Sequence, residues 1–211
     1  MQIKNDKNNL PLTAIVLAGG RSSRINLDQE KADIKLNGSS LIERVISKVK
    51  FVVDKNIIIV SPSKRYSYLS KVVQDIVPQK GPLAGIYSGL KASSTFYNLI
   101  VGCDMPFLET KLLWYMRENI NSEDVIIPRY NKIYIEPLLA IYSKNCLAAI
   151  ENNLKKDILP IRLIFPYLKI KYIEDNEIVK FDPEYLSFFN INFMDDLAVA
   201  EKLIKNIEGN K

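Results

Sequence analysis

Two glycines, Gly19 and Gly20, stand directly behind a short apolar run, and Arg21, Ser22, Ser23, Arg24 and then Lys31 follow them. Glycine lets a backbone lie close to a ligand, and free amides at such a loop bind phosphate oxygens. Guanidinium and ammonium groups supply the charge that a triphosphate needs. A second candidate is Asp104, in Cys103-Asp104-Met105-Pro106, where a carboxylate ends another apolar run. Open α/β sheets bind ligands at the carboxyl ends of their strands, so Asp104 is placed for chemistry. The alternative is a cap on the helix beginning near Glu109-Thr110, for which Thr110 itself is better placed. The chain has no histidine, which removes Ser-His and Cys-His triads and histidine metal sites. Any metal is then a hard ion held by carboxylates, magnesium or else manganese. Together these residues read as the site of a nucleotide-using enzyme.

The elements that must position them follow from hydrophobic pattern. Ala14 to Ala18, Asn56 to Ser61 and Asn98 to Cys103 hold apolar runs, the second of them β-branched, as in strands buried on both faces. Between the first two, Leu41, Ile42, Val45, Ile46 and Val49 repeat at helical spacing after a Leu36-Asn37-Gly38 turn, with Ser39 or Ser40 as N-cap. Strand, helix, strand makes a βαβ unit and a mainly parallel sheet. A helix is expected over Tyr66–Val73. Another follows Gly81-Pro82, with small residues at Ala84, Gly85, Ser88 and Gly89. Glycine inside a helix costs about 1 kcal/mol, so something approaches closely there, either another backbone or a ligand.

Further on, a helix is expected over Thr110–Glu118, short strands at Val125–Pro128 and Tyr134–Tyr142, and a helix capped by Ser143. A short helix over Ile158–Leu168, interrupted by Pro160 and Pro166, precedes an edge strand at Ile170–Ile173 and a last helix over Leu197–Ile207. The expectation is one α/β domain over 13–208, a three-layer Rossmann-like sandwich, after a loose polar leader at 1–12.

The 211 residues are 47% apolar, enough to bury a sizeable core. No apolar run nears the ~18 residues of a membrane span, and the N-terminus lacks the apolar centre of a signal peptide. Cys103 and Cys146 show no motif spacing, which suggests a reducing cytoplasm. The net charge of +5 is spread along the chain, without a nucleic-acid-binding signature.

Separated segments then resemble one family. Leu17-Ala18-Gly19-Gly20-Arg21-Ser22-Ser23-Arg24 with Lys31 is similar to the L-A-G-G-x-S-x-R…K signature of nucleotidyltransferases with a nucleotide-diphospho-sugar transferase fold. Gly81-Pro82-Leu83-Ala84-Gly85 and Cys103-Asp104-Met105-Pro106-Phe107 look like the molybdenum cofactor guanylyltransferase family. Glu136-Pro137-Leu138 through Tyr142, and Asn190-Ile191-Asn192 ahead of Asp196-Leu197, resemble its later motifs. One departure stands between Arg24 and Lys31, where two extra residues occur and glycine is missing; Asn26 tolerates left-handed geometry there, and Lys35 competes with Lys31.

The resemblance implies transfer of GMP from GTP to the phosphate of a molybdopterin-type cofactor, with release of pyrophosphate. It implies that Gly19, Gly20, Ser22 and Ser23 line the nucleotide loop and that Arg24 and Lys31 neutralise phosphate. Asp75, Gly81 and Gly85 would lie on the nucleoside side, with base choice near Leu17, Ala18 and Asp75. Asp104 would hold magnesium, and Asn190 and Asn192 would face the acceptor. Molybdoenzymes or their chaperones would receive the product. The alternatives are CMP transfer to molybdopterin, activation of a sugar or alcohol phosphate, and a non-catalytic nucleotide-binding protein.

Overall fold

The continuous apolar runs become the middle of one sheet in a computed structural model that describes residues 10–19, 29–54, 56–62 and 64–209. In chain order these hold β1 (Leu12–Leu17), β2 (Lys35–Leu36), β3 (Ser39–Ser40), α1 (Leu41–Val49), β4 (Ile57–Val60) and β5 (Lys71–Val73). Next come α2 (Gly81–Ala92), β6 (Tyr97–Gly102), α3 (Thr110–Glu118), β7 (Val125–Tyr130), β8 (Tyr134–Ile135) and β9 (Leu139–Ser143). The chain continues through α4 (Cys146–Lys155), β10 (Ile170–Glu174), α5 (Asp175–Ile178) and α6 (Met194–Gly209). The sheet order is β10-β7-β9-β6-β1-β4-β5, with β8 paired to β7 off that path. β8 and β9 run against their neighbours and the remaining pairs of this sheet are parallel. The sheet is therefore mainly parallel, as the βαβ pattern predicts.

Residue alternation along β1 builds the three layers. Ala14 and Val16 pack with Ile42, Val45 and Val49 of α1 and Leu112, Leu113 and Met116 of α3. Ile15 and Leu17 face the other way, against Leu83, Ile86 and Leu90 of α2 and Ile150 of α4. Close approach explains the small residues of α2. A Cβ on Gly89 would lie 2.4 Å from Ile15 Cγ2, and one on Gly85 would lie 3.3 Å from Leu17 Cδ2. A third cluster joins Ile34, Leu36 and Leu41 to Phe107, Ile191, Ala200 and Ile204, which seats α6 against the β2–β3 hairpin.

Ser40 caps α1 through a capping box with Glu43: each side chain accepts from the other's backbone amide. Several expectations need correction. Tyr66–Val73 is not a helix: a 3-10 turn at Lys64–Tyr68 leads into β5. The open edge of β4 offers unpaired backbone groups, and β-branched Val72 and Val73 take them. Tyr134–Tyr142 breaks at Pro137, which lacks an amide donor, into β8 and β9. Ile158–Leu168 shortens to a 3-10 helix at Ile161–Tyr167 with Pro166 inside. The N-cap of α3 is Glu109, not Thr110, and its amide donates to Ser187 Oγ at 2.9 Å. Ser143 ends β9 and Asn145 is the N-cap of α4. The last helix starts at Met194, earlier than Leu197, because the Asp196 carboxylate accepts from the amides of Asn192 and Phe193. β1 starts at Leu12, inside the stretch read as leader, while residues 1–9 lie outside the described residues.

Candidate functional site

β1 and β6 end side by side, and the Cys103 amide donates to Leu17 O at 3.1 Å just beyond them. The next residue, Asp104, stands at the carboxyl edge of the sheet. Its carboxylate folds back over Gly102, where a Cβ would meet Oδ1 at 2.5 Å. Only glycine leaves that space. Lys31 opens the 3-10 turn Lys31–Asp33, and its Nζ lies 2.5 Å from Asp104 Oδ2 and 2.8 Å from Asn192 Oδ1. The Lys31 and Asp104 side chains are 16% and 20% exposed, so their attraction is weakly screened while a ligand can still reach them. Two of the three ammonium donors are engaged; the third has no partner among the described residues. Lys35, the competing lysine, is exposed on β2.

Two further anchors hold Lys31 and Asn192 in place. Tyr66 donates its hydroxyl proton to Glu30 Oε2 at 2.8 Å, immediately before Lys31. Burial and that carboxylate push the phenol far above its ordinary pKa, so it stays a donor. On the other side the Ile191 amide donates to Asp104 O at 3.0 Å, and Asp196 takes the next two amides at 2.8 Å each. Asn190 Nδ2 donates to Glu136 Oε2 at 3.3 Å. Glu136 sits at the bend before Pro137. Burial pushes its carboxyl above the ordinary range, against the pull of hydrogen bonds from Leu138 and Asn190, and the Asp104 charge adds to the rise.

Asp75 lies across the rim, on the α2 side. Its Oδ1 accepts from Ser88 Oγ at 2.8 Å and from the Val77 amide at 3.1 Å, while Ser88 Oγ also accepts from the Ile76 amide at 3.0 Å. Gly81, with φ +68, opens α2 beyond this loop. The Leu17 side chain is buried against α2, and the Ala18 amide donates to Val60 O at 2.9 Å, so that amide is committed to the sheet. Gly19 is exposed at the end of β1. Gly20, Arg21, Ser22, Ser23 and Arg24, with Asn26 of the two-residue departure, lie outside the described residues.

The structure thus gathers Lys31, Asp104, Asn190 and Asn192 at one rim and holds Asp75 by α2. Sequence reasoning placed Glu136 in a motif but gave it no role in the site. Its signal was a carboxylate before proline inside an apolar stretch. Cys103, beside Asp104, is buried and its thiol is pushed far above the usual range by that burial, which leaves it no role as a nucleophile at neutral pH. Among the described residues no cluster of three or more histidine, cysteine or acidic groups could hold a metal. One partly exposed carboxylate does fit a hard ion that takes most of its ligands from substrate phosphates and water.

A family model described as MobA-like NTP transferase domain matches residues 14–163. A probable molybdenum cofactor guanylyltransferase of Pelotomaculum thermopropionicum is 33% identical over 198 residues, covering 93% of this chain and 95% of its own. A molybdenum cofactor guanylyltransferase of Desulfosudis oleivorans is 34% identical, covering 92% and 96%. The crystal structure of molybdopterin-guanine dinucleotide biosynthesis protein A from Archaeoglobus fulgidus superposes with a TM-score of 0.80 at 29% identity, over 92% of this chain and 99% of that one. The glycine loop, the strand-end aspartate and the matched span agree, and the chain belongs to the MobA-like NTP transferase family, with the molybdenum cofactor guanylyltransferases as its relatives.

Proposed function

We propose that the protein is a magnesium-dependent guanylyltransferase that moves GMP from GTP to the phosphate of a molybdopterin-type cofactor. The observation that carries this reading is the Lys31 ammonium, shared between Asp104 Oδ2 and Asn192 Oδ1. One cation bridges the strand-end carboxylate and the segment assigned to the acceptor. An oxygen of the acceptor phosphate forms a bond to the α-phosphorus of GTP, and the bond from that phosphorus to pyrophosphate breaks with its electron pair leaving on pyrophosphate. A phosphate monoester is largely ionised at neutral pH, so no strong base is required. The difficulty is to bring two anions together in line and to offset charge on the leaving group.

The residues present suit that task. Lys31 has an N–H with no partner among the described residues, suited to a phosphate oxygen, and is held on two sides, so little reorganisation accompanies binding. Asp104 would hold the magnesium. Magnesium, when bound, supplies positive charge against the phosphate oxygens. Asp75 is fixed by Ser88 at the edge of α2, on the side assigned to the nucleoside. Phosphoryl chemistry of this type proceeds without covalent catalysis, in keeping with a chain that lacks histidine. The buried free thiols at Cys103 and Cys146 support a reducing, cytoplasmic setting, and among the described residues no helix is long and apolar enough to cross a membrane.

The experiment is pyrophosphate release with GTP, magnesium and the molybdopterin acceptor, alongside calorimetry of nucleotide binding. Release should depend on all three and favour GTP over CTP and ATP. A protein that does not bind GTP with magnesium, or whose binding is unchanged in the Asp104→Ala/Lys31→Ala double variant, is not this enzyme.

A further inference from the structure

We propose that Glu136 is a positioning residue that orients the side-chain amide of Asn190, so that its carbonyl oxygen is presented to the acceptor. The inference rests on the transferase reading above. Glu136 is held first: its Oε1 accepts from the Leu138 amide at 3.0 Å, which fixes the carboxylate at the bend between β8 and β9. Its Oε2 then accepts from Asn190 Nδ2 at 3.3 Å. The same Nδ2 lies 3.4 Å from Phe188 O. Two acceptors therefore face one end of the amide. A flipped Asn190 would set its carbonyl oxygen against a carboxylate and a carbonyl, losing both bonds to repulsion.

The consequence is a defined polarity. Asn190 Oδ1 has no hydrogen bond among the described residues and remains an acceptor. Asn192 is oriented the other way, because its Oδ1 is taken by Lys31 at 2.8 Å and its Nδ2 has no partner among the described residues. An ionised phosphate carries no donor, so it has no use for Asn190 Oδ1. That oxygen suits an N–H or O–H elsewhere on the acceptor, while the Asn192 amide donates to an oxygen or ring nitrogen two residues along. Glu136 and Lys31 hold the pair in these orientations, and the acceptor selected is a phosphate monoester that also bears a hydrogen-bond donor.

The test exchanges the partners. In Glu136→Gln the new side chain keeps its oxygen on Leu138 and must turn its NH2 toward Asn190, donor against donor. Asn190 then flips, and KM for the acceptor should rise about tenfold while KM for GTP stays unchanged. Asn190→Asp sets two carboxylates face to face and should be similarly impaired. The double variant E136Q/N190D restores one donor and one acceptor between positions 136 and 190, leaves a carboxylate oxygen at position 190 against Phe188 O, and should lower the acceptor KM about threefold relative to N190D. It keeps a hydrogen bond at this place, so its recovery over N190D decides the matter even where E136Q alone is too unstable to assay. An unchanged acceptor KM in E136Q, or a double variant no better than N190D, overturns the role of Glu136. Wild-type protein that releases no pyrophosphate overturns the transferase reading instead, and this role with it.

Discussion

At the start of β1 and β6 the polar side chains of Thr13, Ser93, Thr95 and Asn98 are sealed inside the protein. The Thr95 hydroxyl lies 2.9 Å from Thr13 Oγ1, 2.8 Å from Tyr97 O and 3.2 Å from Asn98 Oδ1. At the carboxyl end of the same two strands the polar groups are Lys31 and Asp104, charged and partly open to solvent. The Thr95 network is neutral and closed; the Lys31–Asp104 pair is ionic and, among the described residues, keeps one ammonium donor in reserve. Buried neutral networks specify and stabilise a core, whereas charges kept at a rim are retained for a ligand. Substitutions at the two ends should therefore fail in different assays.

The largest effect is expected at the open end. Asp104→Ala should lower pyrophosphate release by about 10²–10³-fold, the size typical of losing one electrostatic contact to a transition state, with the melting temperature little changed. A melt that drops in step with activity would mean Asp104 is structural. At the closed end, Thr95→Val strands its partners and should destabilise by about 1–3 kcal/mol in denaturant, with activity per folded molecule unchanged.

A third substitution tests an ionic clasp at the amino end of β1. Arg117 is almost wholly buried and donates to both carboxylate oxygens of Asp54, at 2.9 and 2.8 Å, while the Leu12 amide donates to Asp54 Oδ2. Burial alone would push the Asp54 carboxyl up, but the Leu12 amide and the Arg117 guanidinium outweigh it and hold the pKa below its ordinary 3.8. Asp54→Asn should cost about 2 kcal/mol near neutral pH, below the usual loss for a severed buried pair because Asp54 is half exposed. A depressed carboxylate contributes stability above its unfolded pKa and loses it as pH falls through the folded one. The gap between wild type and variant should thus be full above about pH 5 and close in acid below about pH 4; a gap constant with pH would exclude the ion pair as its source. The smallest effect concerns the thiols. Burial pushes Cys146 up to about 12 and Cys103 higher still, so native protein should react with neither an aromatic disulfide nor iodoacetamide at pH 8, and unfolded protein with both.

The closed architecture was largely legible in the sequence, and the open site only in part. Runs such as Ala14–Ala18 and Asn98–Cys103 announce strands covered on both faces, because burial there leaves no polar alternation. β5 does not announce itself: three residues become a strand only because β4 presents a free edge beside them. Asp104 was readable from its place at a strand end. Its pairing with Lys31, 73 residues away, was not, since nothing local to either residue specifies the other. Glu136 was given no role for the same reason, with its partner Asn190 54 residues further on.

The bond between Lys31 and Asn192 joins residues 161 positions apart. Ribosomes add about 5–20 residues per second, so some 8–30 s separate the synthesis of its two ends. During that interval the growing chain adds α2 and Asp104 behind the glycine loop, while the asparagines assigned to the acceptor do not yet exist. The two halves of the site are therefore separated in time as well as in sequence, and the half proposed for the nucleotide is made first.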